Sequence, residues 1–254
     1  MARRFFHMYF FLLLTLFSCF SASCTFQRKT FRIGIDPTCY PLNLSGKELN
    51  VSAFTDDLLK EISKLEGIYF EKITMSWDNL VEGLKEEKYD GMISTIYPYI
   101  FNVATYGFSD IILHTGPVLV VSRSFDSGLK GKMIGKAIAV DSFQNEALLI
   151  QMYPDVIVRR YFQIAEVIND ILIEEVDGAL IDNISAIGFA QEIYEDKLTL
   201  ASAPLNDAGL RMMILKGKNE QLINSFNRGL SKVRDKGIYD RLLKKWSLVL
   251  KESG

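Results

Sequence analysis

From Phe31 onward the chain alternates short apolar runs with longer stretches in which apolar residues recur every three or four positions. "FRIGI" (31–35) reads as a strand. "TDDLLKEISKLEG" (55–67) sets Leu58, Leu59, Ile62 and Leu65 on one helical face. Thr55 is the expected cap of that helix, two Asp lie in its first turn, and Gly67 closes it. A second helix follows in "SWDNLVEGLKEEKYDG" (76–91), with Leu80 and Leu84 one turn apart, and "GMISTI" (91–96) is the next strand. A β-α-β-α-β order of this kind predicts an α/β sheet with parallel strands.

The pattern then repeats. After "HTGPVLVVS" (114–122) come a strand "KAIAV" (136–140) and a helix "SFQNEALLIQMYP" opened by Ser142 and stopped by Pro154. "DVIVRRY" is a strand, and "QIAEVINDILIEEV" is a helix with Ile164, Val167, Ile168, Ile171 and Leu172 inward. "GALI" (178–181), a helix from about Asn183 and "KLTLAS" (197–202) complete this half, and from about Asn219 the chain reads as two helices around the turn "RDKG". The fold class expected is α/β, with two Rossmann-like lobes, a hinge and a central ligand cleft. Residues 28–113 plus 209–254 are assigned to lobe 1 and 114–208 to lobe 2. A cleft between lobes is the default site for a small ligand.

Ahead of this pattern, Arg3 and Arg4 precede thirteen apolar residues, 5–17, and then Ser18 and Cys19. A basic start, a short apolar stretch and small residues beyond it describe an export signal, too short to span a bilayer. Residues 1–27 are therefore read as leader and tether. "LFSC" resembles a lipobox with Cys19 as the lipid-bearing residue, and Cys24 after "SAS" is the rival mature start. The location expected is periplasmic or extracytoplasmic, with a lipid anchor in the membrane.

Composition removes several classes of function. A formal net charge of −2 with scattered Lys and Arg leaves no footprint for nucleic acid. Outside the leader only Cys39 and His114 remain of their kinds. One thiol makes no disulfide framework, and a single His without a spaced partner supports neither a nucleophilic triad nor a metal centre. Neither a cofactor nor a metal is called for.

The chain resembles the extracellular solute-binding proteins of ABC importers, family 3, the polar amino-acid type with the type II periplasmic binding fold. The resemblance rests on the C-terminal "NEQLINSFNRGLSKVRDKGIYDRLLKKW" and on "IGIDPTCYPL", "AFTDDLLKEIS", "SWDNLVEGLKEEKYDGMIS", "FSD" (108–110), "LKGKMIGKAIAV" and "VDGALIDN", in order across 31–247. It implies two lobes that close on a small polar solute, an amino acid or amine-bearing relative, and deliver it to a membrane permease with its ATPase. A relative of cyclohexadienyl dehydratases on the same scaffold, or a sensory binding module, are the alternatives.

The same resemblance assigns a site. Asp36 falls where the family reads the ligand side chain and Trp77 where it packs an apolar wall. The aromatic platform falls on Cys39, so either the neighbouring Tyr40 substitutes or a small thiol widens the floor. Asp182 matches the acceptor for a ligand ammonium, a task that suits a carboxylate desolvated in a closed cleft. Gln144 and Asn145 match a helix N-terminus that offers N–H groups to an anion, against which Asp141 would act. "STIYPYIFNVATYGFSD" (94–110) matches the carboxylate clamp. Ser94 and Thr95 keep its hydroxyls, Tyr97 and Tyr99 take positions normally held by Ser or Thr, and its Arg position falls on Asn102. An ordinary α-amino acid would then bind weakly unless another cation is recruited, for which Arg211 is the candidate. The rings are open to two readings, a ligand-facing wall or filler for a loop that lost its ion pair.

Overall fold

The computed structural model describes residues 29–125 and 133–249. The leader, with Cys19 and Cys24, lies outside the described residues.

Strand β1 (Thr30–Ile35) pairs in parallel with β2 (Tyr69–Thr74) on one side and β3 (Gly91–Ser94) on the other. Crossover helices α1 (Glu48–Glu66) and α2 (Trp77–Lys85) connect them on opposite faces of the sheet. Phe31 and Ile33 pack under Phe54, Leu58 and Ile62 of α1. The other face holds Met92 against Leu80, Leu84 and the buried ring of Tyr89. Gly67 ends α1 in a left-handed conformation at φ 66°, its N–H bonded to the Ser63 carbonyl. The start of α1 corrects the sequence reading. Val51 and Phe54 extend the apolar stripe of Leu58 and Ile62 backward, so the helix begins seven residues earlier. Thr55 is consequently buried inside it, and its hydroxyl donates to the Val51 carbonyl instead of capping.

The second sheet holds β6 (Pro117–Ser122), β7 (Ala137–Val140), β8 (Ile157–Arg160), β9 (Gly178–Asp182) and β10 (Leu198–Leu200), in the order β10-β6-β9-β7-β8. Its strands β7, β8 and β9 are parallel. Helices α4 (Phe143–Met152) and α5 (Ile164–Leu172) cover it, and α6 (Asn183–Gly188) follows β9 directly. The Ser142 hydroxyl caps α4 by accepting the Asn145 N–H, as its sequence predicts. On α5 the side chains of Val167, Ile168 and Ile171 are fully buried.

The sequence reading does not name β2 or β6 as strands, nor β4 (Tyr106–Phe108), β5 (Leu113–His114) and β11 (Gly209–Leu215). Strand β11 returns from the second sheet and enters the first between β3 and β4, antiparallel to both, with Arg211 opposite Ser94 and Met213 opposite Phe108. Covered on both faces, "GLRMMIL" has a continuous apolar run in place of alternation, so its periodicity carries no strand signal. Helices α7 (Glu220–Asp235) and α8 (Ile238–Lys245) then close the first core, α7 against α1. The short α3 (Ile100–Val103) is a single turn before β4. Among the described residues, no helix is long and apolar enough to cross a membrane.

The chain passes between the sheets twice, after β5 and before β11, and the two crossings are bonded to each other. Thr115 and Gly116 both donate to the Ala208 carbonyl, at 2.9 and 3.2 Å, and Gly209 pairs with His114. The approach is so close that a Cβ on Gly209 would lie 2.5 Å from the Leu113 carbonyl oxygen. A second contact flanks this hinge. Ser185 of α6 donates to the Asn43 carbonyl at 2.6 Å, and Lys47, only 4% exposed, pairs with Glu192 of the other half. A Gly209→Ala substitution forces two backbone segments apart, so it should lower stability by roughly 1–3 kcal/mol. Urea unfolding checks this. Gly188→Ala is the control, since its Cβ would meet only the flexible end of Lys47 at 3.4 Å.

Candidate functional site

The parallel strands of both sheets end toward the crossings, and in open α/β sheets ligands bind beyond the carboxyl ends of such strands. In the first sheet these ends build a pocket of about 430 Å³, partly open to solvent, lined among others by Asp36, Tyr40, Trp77, Ser94 and Thr95. Five of the residues singled out from sequence are thus brought together.

Asp36 follows β1 directly and is 7% exposed. Its Oδ1 accepts both the Thr38 N–H at 2.8 Å and the Thr38 hydroxyl at 2.7 Å, which fixes the carboxylate against the loop. Cys39 adopts φ 57° and packs onto the first core. Burial, then the charges of Asp36 and Glu48, push its thiol up to about 11, so it stays protonated and unreactive. The ring at this place is that of Tyr40, 57% exposed and 6.1 Å from Trp77, tilted by 59°. Ser94 is buried, its Oγ accepting the Ile96 N–H at 3.0 Å.

The aromatic loop is a ladder. Tyr97 and Tyr99 lie 4.6 Å apart, and Tyr99 stacks on Phe101 at 5.4 Å with 17° between planes. Asn102 holds the ladder together, its side-chain amide donating to the Tyr97 carbonyl at 2.7 Å. Neither Tyr97 nor Asn102 lines the pocket. The guanidinium in this neighbourhood belongs to Arg211, buried at 8% exposure and donating at 2.8 Å to the Asp207 carbonyl.

The second sheet presents a separate acidic group. Asp141, Tyr161 and Asp182 follow or end β7, β8 and β9 at the same edge. No side-chain partner holds Asp182; burial first, and then the charge of Asp141, push its carboxyl up to about 6. The same burial and the charges of Asp141 and Asp182 raise the Tyr161 phenol, which donates to the Leu180 carbonyl at 2.9 Å. Tyr161 was not singled out from sequence, because only the register of β8 beside β7 brings it to Asp182. Gln144 and Asn145 open α4. The Asn145 N–H is already taken by Ser142 and its side-chain amide by Asp141 at 2.7 Å, so Asn145 is engaged within the chain. Asp177, by contrast, accepts the Ala137 N–H before β9 and is a turn residue. Among the described residues no group of His, Cys, Asp and Glu could hold a metal ion.

A desolvated acid thus lies on one sheet edge, and a pocket with rings and hydroxyls on the other. Residues 31–249 match the family described as bacterial extracellular solute-binding proteins, family 3. The chain belongs to this family. Among its relatives is the arginine-binding extracellular protein ArtP of Bacillus subtilis, 27% identical over 78% of each chain. The histidine-binding periplasmic protein of Escherichia coli is 24% identical over 92% of this chain and 94% of its own. Of solved structures, the unliganded, open L-cystine solute receptor of Neisseria gonorrhoeae superposes with a TM-score of 0.66 at 17% identity, covering 87% of this chain and 93% of that one. An ancestral cyclohexadienyl dehydratase reaches 0.63 at 17%, covering 87% and 93%. These likenesses establish the type II periplasmic binding fold, and family membership establishes a substrate-binding role.

In this solute-binding protein Asp182 carries a stability cost. Its folded pKa lies above the unfolded value of 3.8, so the native state binds more protons between pH 4 and 6 and stability falls as pH rises through that window. Asp182→Asn should therefore raise the stability of the ligand-free protein by about 2–3 kcal/mol at pH 7, at 1.36 kcal/mol per pKa unit. The gain should vanish below about pH 4, where wild type is protonated in both states. Thermal unfolding across pH checks both signs.

Proposed function

We propose that this protein is exported, anchored by lipid on Cys19, and captures a small amine-bearing polar solute between its two halves for delivery to an ABC permease and its ATPase. In this reading residues 28–113 with 209–254 move as one body and 114–208 as the other. The observation that carries it is Asp182, a carboxylate without a side-chain partner, desolvated at the strand edge of one sheet while Asp36 occupies the edge of the other. A cation placed between them restores the balance that each acid lacks alone, and an ion pair strengthens as closure removes water. Trp77 and Tyr40 form the apolar wall for the rest of the solute, with Ser94 and Thr95 on its polar side.

The role is binding and not catalysis. The Cys39 thiol is held protonated, and the buried Nδ1 of His114 has no hydrogen-bond partner, with burial lowering the pKa of its ring. Neither is poised to attack a substrate or to take its proton. The named ligands of relatives, arginine and histidine, are amines as this reading requires.

Mass spectrometry of the small molecule that co-purifies with residues 28–254 tests the ligand class, and an amine should be found. Its affinity should fall about tenfold for each pH unit below 6, because protonation of Asp182 competes with the cation. Asp182→Asn should weaken binding by roughly 1.5–3 kcal/mol at pH 7.5. Intact mass of the full-length protein from a membrane fraction tests the anchor: acylation at Cys19 is expected, and a soluble form beginning at Cys24 without lipid mass refutes it.

A further inference from the structure

The crossings are not the whole of the connection between the halves. After α8 the chain turns at Ser247, whose φ is 51°, and lays residues 246–249 along the first half. The Trp246 carbonyl accepts the Asn50 side-chain amide at 2.9 Å, the Leu248 N–H donates to the Leu243 carbonyl at 2.9 Å, and Leu248 is buried in the first core. From the second half, α6 runs on into a π-helical turn, Phe189–Ile193, closed by the Tyr194 N–H on the Phe189 carbonyl at 2.8 Å. Such wide turns are rare and concentrate where a chain has a task besides packing. Here the turn brings two neighbouring side chains to two different places on the first half. Gln191, 6% exposed, donates its amide to the Val249 carbonyl, and Glu192 takes the buried ammonium of Lys47.

Rotation about an axis through two contact points leaves those two intact and displaces a third that lies off the axis. The crossings are covalent, and parting Lys47 from Glu192 would strand a desolvated ammonium, so these two contacts set the axis. The bond from Gln191 to Val249 joins a neutral amide to a carbonyl and is the weakest of the three to break. The packing behind the crossings permits the movement. A cavity of about 850 Å³, partly open to solvent, lies there, walled by Tyr239, Leu248 and Val249 from the first half and by Ile187, Leu200 and Pro204 from the second. Apolar packing therefore does not lock the angle at this place. The pocket that holds Asp36, by contrast, is lined by residues of the first half alone, so the cleft is not shut across it. We propose that the bond between Gln191 and Val249 is a strap, which holds the two halves at this open angle and gives way when they close. The strap rests on the two-body reading above and acts whatever the solute is.

The test traps closure without any ligand. Ile100 after β3 and Phe162 after β8 are 89% and 95% exposed, one on each half, and both become Cys in residues 28–254. A short bis-maleimide then links them only when the halves approach, while the buried, protonated Cys39 stays inert. The rate of linking, read by mass spectrometry in dilute protein, should rise about fivefold or more in Gln191→Met, which keeps the side chain's bulk but has no donor. A chain ending at Leu248, which lacks the Val249 acceptor, should show the same gain. Joining the two changes should give no further gain, since they remove one and the same bond. Circular dichroism and thermal unfolding verify that each variant is folded. Equal linking rates in the parent and in both folded variants, or gains that multiply when the changes are joined, overturn the strap while leaving two moving halves intact. No linking in any of these proteins overturns both.

Discussion

The bond between the two crossings is the constraint on which the rest of the molecule depends. Ala208 accepts from both Thr115 and Gly116, and Gly209 lies against Leu113 with no room for a side chain. The return of the chain at this point sends β11 into the middle of the first sheet, so that sheet is completed only after the second has been made. One consequence is energetic: β3 and β4 are joined through a strand more than ninety residues away, and the first core closes late, under α7. The other is geometric. Anything at the start of β11 is fixed at the edge of the cleft, which is how a residue far from the pocket loops in sequence comes to stand beside Ser94.

Two buried charges at the strand ends near the crossings lack full compensation. Asp182 is desolvated and repelled by Asp141, while Arg211 is desolvated with a single neutral acceptor. Each costs the chain stability. The contact of Ser185 with Asn43 and of Lys47 with Glu192 joins the halves near the hinge. Lys47 is buried on the side of the first sheet, so parting this pair would strand a desolvated ammonium.

What could be read from sequence was what repeats locally. The stripe of Leu58 and Ile62, the Ser142 cap, the Gly67 stop and the burial of Val167, Ile168 and Ile171 each follow from residues within a turn or two of one another. The misreading of Thr55 has the same origin, because a Thr before two Asp looks like a cap unless Val51 and Phe54 are counted into the stripe. Strand β11 was opaque because a central strand covered on both faces does not alternate. At the site, Asp36, Tyr40, Trp77, Ser94 and Thr95 were legible through resemblance to a family, and the pocket does gather them. Tyr161 was not, since its place beside Asp182 is a matter of strand register alone.

The aromatic loop then has a physical account that needs no contact with ligand. A segment that carries a buried guanidinium must supply it with acceptors and hold its backbone to match. Once the positive charge beside Ser94 sits on β11, the loop from Ile96 to Val103 is released from that demand. What must replace it is something to keep a short chain ordered at a strand end with little core beneath it. Rings two residues apart do this by packing on one another, Tyr97 tilted against Tyr99 and Tyr99 stacked on Phe101, while Asn102 ties the far end of the turn back to the Tyr97 carbonyl. The absence of Lys and Arg from this stretch follows from the same arrangement: a second cation here would stand next to a guanidinium that already lacks a carboxylate, and would raise the cost of burying it.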